Sequence, residues 1–151
     1  MDERSRGALE LFQKSREGFL GTLEENAKPY VSAVSAIYES SLAGGPVYGR
    51  VYLLLSDLAR HTRNLQKNPD ASLLVLDVSS DKPFYERPRA TATGRAHYVK
   101  DAEQVEKLKK LYLEKFPGTA QLLTFKDFNF FALEIAEIHF IAGFGQISTF
   151  K

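Results

Sequence analysis

The apolar positions of this chain change period from segment to segment, and each change marks an element. Ala8, Leu9, Leu11 and Phe12 fall on one stripe among charged residues, which predicts an amphipathic helix over 2–17, ended at Gly18. β-branched and aromatic residues then take over. A short strand over 19–23, a polar turn over 24–28 and a partner strand over 30–38 read as a hairpin. The Gly44-Gly45-Pro46 cluster predicts a surface loop before 51–55, a compact apolar run suited to a buried strand. Leu58, Thr62 and Leu65 return to helical spacing. Ser56 or Asp57 is placed to cap that helix, and Asn68-Pro69 stops it after about Lys67.

Further on, 71–76 reads as another buried strand, and 79–88 as a loop rich in turn residues. The segment 89–98 alternates as a strand in which Gly94 signals a bulge or a close backbone approach. Asp101 caps a helix running to Lys115 with Val105, Leu108, Leu111 and Tyr112 inward, and Pro117-Gly118 terminates it. A long apolar run over 128–141, carrying Phe131, Leu133, Ile135 and Ile138, closes the sheet before Gly143-Phe144-Gly145. Six or seven short strands joined mostly by turns predict a mainly β (α+β) fold. Its expected form is an antiparallel barrel with peripheral helices rather than a βαβ sheet.

Composition narrows the function classes. The 151 residues suit one domain, with the helix over 2–17 packed on the barrel. No stretch approaches the roughly 18 apolar residues of a membrane span, and the N-terminus lacks the pattern of an export signal. The absence of cysteine excludes disulfides, thiolate metal ligands and cysteine nucleophiles, and it fits a reducing compartment; the expected location is the cytoplasm. A net charge of +1 without runs makes no case for a nucleic-acid partner.

The segment Ser56-Asp57-Leu58-Ala59-Arg60-His61 carries the most chemistry, because a strand ends there and a helix begins. Free backbone N–H groups, the helix dipole, the Arg60 guanidinium and the Ser56 hydroxyl can together cradle a phosphate. The same residues also fit a plain serine cap beside two solvated cations. His61 reads either as a phosphate ligand or as a surface histidine packed on its helix. His97 and His139 sit on separate strands without metal-ligand spacing, so no metal site is expected. Glu134 and Glu137, three apart in one strand, are expected on opposite faces, which argues against a shared-proton pair. Neither a nucleophile elbow nor a Walker-type loop is present, and no catalytic side chain is identified. Gly143-Phe144-Gly145 reads as a tight turn with Phe144 plugging an apolar gap.

Taken in order, PYVSAV at 29–34, the strand 51–56, LARHTRNL at 58–65 and NPDASLL at 68–74 resemble the split barrel of the pyridoxamine 5'-phosphate oxidase-like superfamily. Arg89 to Gly94, leading into Arg95-Ala96, is similar to that family's next strand. HFIAGFGQ at 139–146 is similar to the closing strand of its subgroup related to HugZ-type haem-utilisation proteins. The likeness spans about residues 16 to 147.

The resemblance implies a homodimer holding two FMN molecules at its interface, with phosphate contacts at Arg60 and His61 and Ser56 nearby. It places backbone contacts to the flavin at Val31, Ser32 and Ala33, with Leu54 and Leu55 beside them, and brings Arg89 to the flavin from the partner subunit. It implies an FMN-dependent oxidoreductase acting on an unknown small molecule, the flavin carrying the electrons. One alternative is a haem-binding or haem-degrading protein, and another is a flavin-binding module without turnover. His61 stands where pyridoxamine-phosphate oxidases have lysine, and the sequence stops at Lys151, short of their substrate-binding stretch. Both departures argue against vitamin B6 oxidation. The haem-degrading relatives take a haem-ligating histidine from a C-terminal extension, for which His61, His97 or His139 would have to substitute.

Overall fold

The computed structural model describes residues 2–40 and 47–151; the loop expected at Gly44-Gly45-Pro46 lies outside them. Among the described residues seven strands form one sheet: β1 (Glu17–Leu23), β2 (Pro29–Glu39), β3 (Arg50–Ser56), β4 (Asp70–Leu76), β5 (Arg89–Tyr98), β6 (Phe128–Ile141) and β7 (Ile147–Phe150). Their order is β3-β2-β1-β4-β5-β6-β7, every pairing is antiparallel, and β3 also pairs with β6. Six strands therefore close a barrel, and β7 adds on beyond β6. Closure pairs both sides of the six barrel strands and leaves β7 as the open edge. The length of β6 makes it possible, because Phe128–Glu134 faces β3 while Phe131–Ile141 faces β5.

Strand β3 shows why its run is apolar throughout. Val51, Leu53 and Leu55 point into the barrel with Leu20, Leu73 and Leu133, while Tyr52 and Leu54 point out beneath helix α3 (Ala102–Lys115). Each fully buried leucine contributes about 1.5–3 kcal/mol.

Helix α1 (Glu3–Lys14) is capped by Asp2, which accepts from the Ser5 N–H, and buries Ala8, Leu11 and Phe12 at one end of the barrel. It stops three residues earlier than expected because Glu17 and Gly18 are recruited into β1 opposite Ser35 and Val34. Helix α2 (Arg60–Lys67) buries Thr62, Asn64 and Leu65 at the other end. Its N-cap is Ala59, without a side-chain cap; the Ser56 hydroxyl instead accepts from the Leu58 N–H. Helix α3 covers one side, burying Leu108 and Tyr112, and Lys115 anchors its end by donating to the carbonyls of Ser15 and Ala36. Leu111, expected inward, is exposed, since the buried stripe is narrower than the apolar one.

The register of β5 and β6 shifts between Thr93 and Gly94, leaving Ala136 as the extra residue of a bulge. A Cβ on Gly94 would collide with the Glu134 carbonyl, so the close approach read from the sequence is real. The bulge also overturns the expectation for Glu134 and Glu137. The inserted residue turns an odd spacing into an even one, and the two pair with Arg95 and Thr93, both on the outer face. They serve different cations, Arg50 for Glu134 and Lys151 for Glu137. Phe144 plugs no gap: it is exposed and makes an edge contact with Tyr85.

Among the described residues, no helix covers one side of the barrel. The outward positions of β1, β4 and the start of β2 present Phe19 (48% exposed), Val31 (65%) and Leu74 (37%), with Ala33 between them.

Candidate functional site

The bare side and the α2 end of the barrel meet at the β1–β2 hairpin, where two recesses adjoin. One is a largely apolar hollow of about 790 Å³ over β1 and its neighbours, lined by Gly21, Leu23, Val31, Ala71 and Ala136 among others. The second is smaller and charged, about 370 Å³, and is lined by Glu24, Glu25, Arg60, Arg63 and Lys67. Leu23 belongs to both, and Tyr30, which lines the hollow, carries the Arg60 guanidinium 4.6 Å above its ring. Arg60, Arg63 and Lys67 are spaced i, i+3, i+7 and so share one face of α2. A methyl group on Gly21 would stand 2.5 Å from the Ser72 hydroxyl, so β1 packs closely on β4 at this edge of the hollow.

Ser56, Arg60 and His61 lie close in the chain but engage three different elements. The Ser56 hydroxyl donates to Asp127 Oδ2 (3.0 Å). Arg60 Nη2 donates to both oxygens of Glu24 (2.6 and 2.8 Å), and that carboxylate holds the guanidinium proton still more firmly. His61 Nδ1 lies 2.8 Å from Ser32 Oγ, and burial pushes this imidazole below the usual histidine range. Buried behind them, Asn64 Nδ2 donates to Thr22 Oγ1 (3.0 Å), tying α2 to the strand that floors the hollow.

The strand residues named from the sequence divide by face. Val31 and Ala33 look out on the bare side, and Ser32 turns inward to His61. Leu54 and Leu55 are both buried, one beneath α3 and one in the barrel. Arg89 lies at the α1 end, opposite Leu76 and Ile141, where its guanidinium covers the Phe84 ring. Within one chain it is not brought to Arg60. Sequence reasoning missed Glu24, Tyr30 and Gly21, which enter only through the hairpin register. Arg63 and Lys67 were legible as the remaining cations on the Arg60 face.

The family model for the CREG beta-barrel matches residues 1–150. The chain belongs to the CREG beta-barrel family. This family is part of the pyridoxamine-phosphate-oxidase-like split-barrel superfamily, as the sequence resemblance implied. The CREG barrel described here is 29% identical to the haem oxygenase HutZ of Vibrio cholerae, over 95% of this chain and 82% of HutZ. It is also 29% identical to the chloroplastic haem oxygenase HOZ of Arabidopsis thaliana, over 83% of this chain but only 36% of HOZ. The solved structure of HutZ, described as a haem storage protein, superposes with a TM-score of 0.71 at 26% identity, covering 89% of this chain and 91% of that one. A haem-binding protein from Mycobacterium smegmatis shares the fold with a TM-score of 0.84 at 22% identity, over 100% of this chain and 59% of the other. These likenesses bear out the HugZ-type subgroup.

The same relatives correct the cofactor. HutZ and HOZ are named for haem, and this overturns FMN as the expected ligand in favour of the haem alternative. The Ser56 hydroxyl, Arg60 guanidinium and His61 imidazole, named together from the sequence, bond to Asp127, Glu24 and Ser32 respectively.

Proposed function

We propose that this CREG barrel binds haem on the bare side, with the macrocycle in the hollow over β1 and its carboxylate tails toward Arg60, Arg63 and Lys67. One observation carries the reading: an apolar recess of about 790 Å³ abuts a charged rim in which three cations share one helical face, two of them paired with Glu24 and Glu25. Haem has the matching asymmetry, a flat apolar body with two anionic tails at one edge. The fit rests on the apolar lining of the hollow and on Tyr30 and Leu23, which join hollow to rim. When bound, haem supplies the redox chemistry; the protein supplies apolar enclosure, orientation and charge. None of the three histidines lines the hollow, so the iron ligand is assigned by experiment among His61, His97 and His139.

The bare apolar face supports a homodimer in which a second copy covers Phe19, Val31 and Leu74. Haem degradation is the activity favoured by the names of HutZ and HOZ.

Titration of the purified protein with hemin tests the reading. A saturable Soret band at one haem per chain is expected, with Val31→Asp reducing affinity about tenfold or more by placing a charge against the macrocycle. Histidine-to-alanine variants at 61, 97 and 139 identify the ligand by the altered band. Ascorbate and oxygen then separate the activities: bleaching with a biliverdin-type product marks an oxygenase, and a persistent band marks a carrier. Absence of any Soret shift sinks the proposal.

A further inference from the structure

The turn between β1 and β2 places two successive non-glycine residues in the left-handed region, Asn26 at φ 63° and Ala27 at φ 59°. Asparagine tolerates that conformation; alanine does not, because its Cβ crowds the following carbonyl. The turn is held by the Glu24 N–H donating to the Lys28 carbonyl (2.8 Å) and the Ala27 N–H donating to the Glu24 carbonyl (3.1 Å). Positive φ at loop residues is the geometry that closes a tight hairpin, and at Ala27 it brings steric crowding. Besides closing the hairpin, the turn positions two carboxylates. Glu24 meets Arg60, and Glu25 meets Lys67 Nζ at 2.9 Å. Two adjacent acids thus occupy two cations one helical face apart, in the manner of a ligand carrying two carboxylates.

We propose that Glu24 is the specificity-determining residue of this rim, an internal competitor that a ligand's carboxylate must displace from Arg60, with the strained turn as the segment that yields. The inference rests on the haem reading for the identity of the ligand, but the competition itself is a property of Glu24, Arg60 and Ala27. Displacement exchanges one carboxylate for another on the same guanidinium and releases Ala27 from its left-handed conformation. A ligand with neutral tails gains nothing at Arg60 and leaves the turn closed. The rim therefore favours acids over esters of the same shape.

The two sides of the competition can be moved in opposite directions. Glu24→Gln frees Arg60 and is expected to tighten hemin binding about fivefold, while hemin dimethyl ester binds unchanged. Ala27→Gly relieves the closed turn and is expected to weaken hemin binding a few-fold, again without effect on the ester. Glu103→Gln, an equal change of charge on α3, is the control and should alter neither. Unchanged hemin affinity in Glu24→Gln, or an equal gain for the ester or in the control, overturns the proposal. Should the wild-type protein bind neither porphyrin, the haem reading falls by itself. A succinate titration followed by the Arg60 Nε–H resonance then decides: a midpoint several-fold lower in Glu24→Gln upholds the competition, and equal midpoints remove it.

Discussion

The imidazole of His61 meets the hydroxyl of Ser32 across the mouth of the barrel, Nδ1 to Oγ at 2.8 Å, joining α2 to the inward face of β2. Burial depresses the histidine's proton affinity in the fold. The unfolded chain, with an ordinary value near 6.5, therefore takes up a proton first as pH falls. The stabilising contribution is fully present above the unfolded value and is lost as pH drops toward the folded one. The urea midpoint is expected to decline from about pH 7.5 to 5 partly on this account, and His61→Asn should flatten that part. An equally steep decline in the variant contradicts it.

Asn64 and Thr22 form a buried polar pair between α2 and β1. Thr22→Val strands the Asn64 amide and is expected to cost about 1–3 kcal/mol, and Asn64→Leu strands the threonine hydroxyl at a similar cost. Replacing both leaves no orphaned group, so the double variant should lose less than the sum. A double-mutant cycle by urea denaturation measures the difference, and additivity within about 0.3 kcal/mol would remove the coupling.

At the β5–β6 bulge, Gly94 leaves no room for a methyl group beside the Glu134 carbonyl. Since the obstacle is backbone, the strands must part to admit a side chain. Gly94→Ala is expected to destabilise by about 3 kcal/mol, at the upper end of overpacking costs. Gly118→Ala, where nothing stands within 4 Å, is the control and should change stability little.

Phe19 is 48% exposed at the centre of the bare face. Phe19→Asp should lower the monomer's stability by about 1–2 kcal/mol, through lost half-burial and poor strand propensity, and abolish self-association in sedimentation equilibrium. A wild-type protein that is monomeric at micromolar concentration would show that a second copy does not cover this face.

Local pattern determined a good deal of this protein. The alternation and apolar runs located six of the seven strands and all three α-helices of the described residues, and Gly94 announced its bulge, because these features follow from the period of a strand or a helix and from steric limits at single residues. The motifs at 29–34, 58–65 and 68–74 placed the chain in its superfamily. What they could not carry was direction. Whether Arg60 faces a ligand or Glu24, whether Ser56 caps a helix or bonds Asp127, and whether Glu137 shares a face with Glu134 all depend on contacts between residues tens of positions apart. The hollow is of the same kind. Gly21, Val31, Ala71 and Ala136 come from four strands, and only closure of the barrel, setting register between strands distant in sequence, brings them around one space.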